Sequence, residues 1–166
     1  MNTSLNSYIQ LPNLTFGNNL SISLWTKINS LQNYERVFDF GNGSPNLNII
    51  MAVVGTSNTL RCAYFDITNF EVEVNVPNII NLNQWAHIAC VFTQATVTFY
   101  SNGGWIGFIN NPSGNLLPTA TRTSNYIGKS NWNGNAYFDG IVDEFRIYKR
   151  PLSAQEVYLL YSLSLF

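Results

Sequence analysis

Apolar residues recur at every second position in short runs that are broken by clusters of Asn, Gly, Pro and Ser. This is the pattern of antiparallel strands with one buried face. It predicts strands over 7–11, 21–29, 36–40, 48–54, 59–66, 71–76, 85–93, 96–101, 105–110, 125–127 and 138–148. Between them, Gly41-Asn42-Gly43, Asn102-Gly103-Gly104 and Asn133-Gly134-Asn135 supply residues that tolerate positive φ, so these are expected loop tips. Helical periodicity is confined to the end. There Pro151 precedes a capping box, Ser153 to Glu156, and Val157, Leu160 and Tyr161 share one face of a helix expected over 154–161. The expectation is an all-β, two-sheet antiparallel sandwich with one short C-terminal helix. No linker, charge block or internal repeat interrupts the series, so 1–166 reads as one domain.

Composition narrows the functions. A chain of 166 residues can bury one sizeable core. Charged residues make up only 10% and the net charge is −1, so the surface must be built largely from neutral polar groups, mainly Asn. The 8 Lys and Arg are scattered, which argues against a nucleic-acid partner. No apolar run approaches the ~20 residues of a membrane span, and the start MNTSLNSYIQL lacks the regions of a signal peptide. A soluble unit cut from a larger protein is expected. Cys62 and Cys90 each lie in an apolar run, where buried free thiols are favoured over a disulfide joining two strands. Sequons at Asn2, Asn13, Asn19 and Asn42 are matches that an Asn-rich chain produces by chance.

Four segments, SYIQLPNLTFGNNLSISLWTKI, RVFDFGNG, QWAHIACVFTQATVTFYSNGGWIGF and YIGKSNWNGNAYFDGIVDEFRIYKRPLSAQEV, resemble in order the laminin-G-like jelly-roll domains of the concanavalin A-like lectin/glucanase superfamily. The resemblance implies a jelly-roll sandwich used for glycan, protein or cell-surface recognition. It also implies core positions for Trp25 and Trp85 and a structural role for His87. Fuller family members carry a segment ahead of the first strand that helps to hold calcium. Asp143 matches the acidic position near that site, with Asp139 a nearby carboxylate. The alternative is that Asp139 caps a loop while Asp143 and Glu144 pair with Arg146 or other cations.

Sugar binding needs an aromatic face for ring C–H groups and amides for the hydroxyls. The loop SNWNGNAY offers Trp132, expected to be exposed, with Asn131, Asn133, Asn135 and Tyr137 around it. Folding of Trp132 back over a sheet edge is the alternative. Trp105, after the Asn102 turn, is a second candidate. Arg61 is a third, because a guanidinium can hold an acidic sugar's carboxylate. Tyr64, three residues on, points to the opposite face. Glu71 and Glu73 form the one carboxylate pair at alternate spacing, and a solvated strand face explains them better than catalysis. The expected function is non-catalytic recognition of a cell-surface glycan, within an adhesive or fibre-like protein at an extracellular or particle surface. A protein-interaction or self-assembly module is the alternative, and a hydrolase or lyase ranks third.

Overall fold

A computed structural model describes residues 7–110 and 117–163; the sequon at Asn2 lies outside them. The strands are β1 (Ile9–Leu11), β2 (Leu14–Phe16), β3 (Leu20–Ile28), β4 (Arg36–Gly41), β5 (Ile49–Val53), β6 (Thr59–Phe65) and β7 (Glu71–Pro77), followed by β8 (Trp85–Phe92), β9 (Thr96–Ser101), β10 (Gly104–Asn110), β11 (Ala120–Arg122), β12 (Ser124–Ile127) and β13 (Gly140–Tyr148). The chain then enters helix α1 (Ala154–Leu163). One sheet runs β1-β12-β4-β5-β6-β7, the other β10-β9-β8-β3-β13, and β2 and β11 form a small ribbon. All the pairings are antiparallel.

Alternation places Phe38 and Phe40 of β4, Met51 of β5 and Cys62 and Tyr64 of β6 on the inner face of the first sheet. They meet Ile22 and Leu24 of β3 and Ile88, Cys90 and Phe92 of β8. The expected free thiols are corrected: Cys62 and Cys90 face each other from opposite sheets and form a disulfide, with their Cα atoms 6.5 Å apart. In the chain-entropy picture, closing a loop across 28 residues contributes about 3.5 kcal/mol.

The outer face of the five-stranded sheet is also apolar. Ala89, Val91 and Tyr100 pack against Leu152, Val157 and Leu160, so α1 lies across it. The capping box forms as expected, with the Glu156 N–H donating to Ser153 Oγ and the Ser153 N–H to Glu156 Oε2. A bulge between Asp143 and Arg146, with Glu144 at φ 53°, turns Phe145 inward against Phe38 and Phe40.

Candidate functional site

The outer face of the six-stranded sheet carries a buried apolar floor of Ile50, Ala52, Ala63 and Phe65. What covers it is the loop between β12 and β13. The loop is pinched at its base, where the Phe138 N–H donates to the Gly128 carbonyl and the Phe138 ring enters the core. Its tip turns at Gly134, whose φ of 86° suits a residue without a Cβ.

Asp39 of β4 is the anchor. It is fully buried and accepts from the Asn131 N–H at 2.8 Å, from Asn131 Nδ2 at 2.8 Å and from Asn48 Nδ2 at 2.7 Å. Burial pushes its carboxyl up, and these donors together with the Arg36 guanidinium, 3.9 Å away, pull it back. Arg36 lies under the Trp132 ring, 5.2 Å from its centre, and Phe65 meets that ring at 5.2 Å. A buried charged pair with several hydrogen bonds thus fixes where Trp132 sits.

Trp132 is half-buried, not freely exposed, because it folds back over the sheet and leaves only part of its ring open. Asn131 is corrected from ligand contact to anchor, since both N–H groups of its amide are committed, to Asp39 and to the Ser124 carbonyl. Asn133 is exposed, and Asn135 donates to Ser130 Oγ. Together Trp132, Asn133, Asn135 and Tyr137 line a depression of about 140 Å³, with Lys129 and Ser130 at its margin. The Lys129 ammonium rests over the Tyr8 and Tyr126 rings at 4.6 and 4.5 Å.

The other expected residues lie elsewhere. Arg61 points outward from β6 while Tyr64 enters the core, but the Arg61 guanidinium is occupied by Glu71 at 3.1 Å, Glu73 at 2.7 Å and Asn75 at 3.0 Å. Its charge is therefore already countered by the two glutamates, which share the one cation. Trp105 is 57% exposed on edge strand β10, beside Phe108 at 51%. Trp25 stacks on Tyr161 of α1, outside the main core. Trp85 is corrected from core to surface, because it opens β8 on the outer face and is 44% exposed.

Asp139 accepts from Asn29 Nδ2 and Ser30 Oγ, which caps that loop, and Glu144 pairs with Arg146. Asp143 accepts its neighbour's N–H. The two aspartates thus each accept from groups of their own surroundings. Among the described residues no group of three or more His, Cys, Asp or Glu side chains is placed to hold a metal.

His87 is buried, with Nε2 2.9 Å from Ser23 Oγ and Nδ1 unpartnered. Burial, and then the Arg146 charge, push it down to about 4. Glu35 shows the opposite shift. Burial pushes its carboxyl up to about 7 although it accepts the Gln32 and Asp139 N–H groups. A depressed His stabilises the fold above its unfolded pKa, and that contribution is lost as pH falls from about 6.5 to 4. A raised Glu does the reverse: its contribution is full at low pH and is lost as pH rises from 4.5 to about 7. The two oppose each other in the shared window. Comparing Glu35→Gln with wild type by urea unfolding, the stability difference should shift by roughly 3 kcal/mol between pH 4.5 and 7, with wild type gaining as pH falls. A pH-independent difference would mean that Glu35 titrates alike in the folded and unfolded chain.

The sequence reading missed Asp39 and Ser130. Asp39 stands in RVFDFGNG, where a carboxylate inside an otherwise apolar run was the available signal.

The model of the concanavalin A-like lectin/glucanases superfamily matches residues 2–158. No curated protein matches the chain. Among solved structures, the chain is 27% identical to domain 4 of AbnA, an extracellular GH43 arabinanase from Geobacillus stearothermophilus solved with arabinotriose. The TM-score is 0.74, over 97% of this chain and 74% of that one. The fold is shared with the heptameric SAP-like pentraxin of Limulus polyphemus, at 18% identity and TM-score 0.69 over 93% and 74%. It is also shared with the binding domain of botulinum neurotoxin serotype G, at 17% identity and TM-score 0.69 over 95% and 42%, so the chain spans about two-fifths of that domain. With an antiparallel sandwich, a capped C-terminal helix and a family match over nearly all its length, the chain belongs to the concanavalin A-like lectin/glucanases superfamily.

Proposed function

We propose that the chain is a non-catalytic recognition module that binds carbohydrate at the Trp132 depression. The observation that carries this reading is the gathering of Trp132, Asn133, Asn135 and Tyr137 around one concavity of about 140 Å³. The open part of the indole offers an apolar surface to ring C–H groups, and the amides and phenol offer hydrogen bonds to hydroxyls. Because Asp39 and Arg36 already hold the loop, little ordering remains to oppose binding. The arabinotriose-bound arabinanase domain supports a sugar as ligand and an accessory place in an extracellular protein. So shallow a site gives weak single contacts, which a parent protein strengthens by presenting several copies against a cell or particle surface.

A glycan array tests this, run once with calcium and once with chelator. Binding to a related set of oligosaccharides is expected in both, since no carboxylate lines the depression. A blank array from folded protein would remove the reading. The second reading, a protein-interaction or self-assembly module, is favoured by the exposed Trp105, Phe108 and Ile106 on edge strand β10. Light scattering tests its self-assembly arm: an oligomer dispersed by Trp105→Ser supports self-assembly, and a monomer excludes that arm alone.

A further inference from the structure

A second concavity, of about 190 Å³, opens where the chain passes from β7 of one sheet to β8 of the other. Its walls come from the β7–β8 connection, from the start of β8 and from the β9–β10 turn. They present Asn78, Asn81, Gln84, Trp85, Ser101 and Asn102. We infer that this is a second carbohydrate subsite, which takes a single neutral sugar ring.

The chemistry matches what a sugar needs. Trp85 is 44% exposed although it belongs to a strand, and Lys27 is its neighbour across the sheet, with its ammonium 5.8 Å from the ring centre. All the side chains lining the concavity are uncharged, so a metal ion finds no counter-charge there, and the Lys27 ammonium beside it rests over the Trp85 ring. Backbone shape accounts for two of the amides: Asn78 and Asn102 have φ of 57° and 48°, a region Asn tolerates, and Asn102 Oδ1 also accepts the His87 N–H. It does not account for Asn81 or Gln84. Both are exposed, neither has positive φ, and among the described residues neither side chain has a hydrogen-bond partner. Free amides beside an open indole form a donor and acceptor set with nothing inside the protein to satisfy. The volume lies below the roughly 300–1,000 Å³ of pockets for larger ligands, which limits the occupant to one ring or a chain end.

The inference extends the carbohydrate reading without depending on Trp132, because the two concavities share no lining residue and are built from different connections of the chain. The test is nuclear magnetic resonance of the labelled chain titrated separately with arabinotriose, maltotriose and cellotriose. The Trp85 indole signal and the Asn81 and Gln84 side-chain amides should shift with at least one of them. Trp85→Ala should weaken the response of those amides roughly tenfold, while Trp132→Ala leaves it unchanged. No shift at Trp85, Asn81 and Gln84 with any of the three sugars overturns the inference, as does loss of their response in Trp132→Ala. Shifts confined to the Trp132 loop would uphold the first site and refute the second. Shifts confined to Trp85 and its amides would do the reverse.

Discussion

Replacing Asp39 by Ala is expected to lower stability by about 3–5 kcal/mol and to abolish carbohydrate binding. The substitution leaves the half-buried Asn131 and the buried Asn48 without their acceptor, and leaves the Arg36 guanidinium under Trp132 without its nearest carboxylate. Removing one member of a buried charged network costs more than the network contributes, because the remaining groups stay desolvated. The loop then has lost the contact that seats Trp132 on Phe65 and Arg36. Urea unfolding gives the stability, and the Trp132 indole signal, assigned by comparison with Trp132→Ala, reports the loop. A variant that unfolds at the wild-type midpoint, with that signal unmoved, would show that Asp39 does not anchor the site.

Arg122→Met is the second large effect, again about 3–5 kcal/mol, with the damage placed at the β2–β11 ribbon. Arg122 is fully buried and engages carbonyls alone: Leu47 at 2.8 Å, Phe16 at 2.7 Å, Pro118 at 3.2 Å and Ala120 at 3.3 Å. Its guanidinium also lies 4.8 Å from the Phe16 ring centre. Burial pushes its pKa down to about 10, still well above neutrality, so it stays charged. Methionine fills much of the volume but leaves four carbonyls without this donor. Arg122→Lys should recover only part of the loss, since an ammonium is a compact donor group and cannot fork to carbonyls from separate segments. Hydrogen exchange should show amides of 14–16 and 120–122 opening first. Near wild-type stability in Arg122→Met would mean that water takes over the carbonyls.

The sandwich was legible because apolar and polar residues alternate over five or more positions in strands such as β3 and β7, and because the Ser153 to Glu156 capping box marks the helix start. Strands β2 and β11 were not, since three residues cannot display a period and Arg122 looks like a surface residue until its carbonyls are seen. The disulfide escaped for a different reason. Each cysteine's strand is evident, but whether two strands face across the core depends on sheet order, which single runs do not carry. The tryptophans mislead in both directions. Trp132, flanked by asparagines, folds back onto Phe65, whereas Trp85, the first residue of β8, is left 44% exposed at the strand end. Polar neighbours in sequence describe the loop tip, and only the packing decides where an indole goes. Asn131 illustrates the same limit, because its amide is used inward by a carboxylate that lies 92 positions away.

Whether sugar is held at the Trp132 depression is read from the affinity of Trp132→Ala against wild type for the strongest oligosaccharide on the array. The ring covers an apolar floor, so unfolding of the variant is measured alongside to establish that it remains folded. A loss of roughly tenfold or more is expected from folded protein. Affinity equal to wild type would contradict it and move carbohydrate recognition away from this loop.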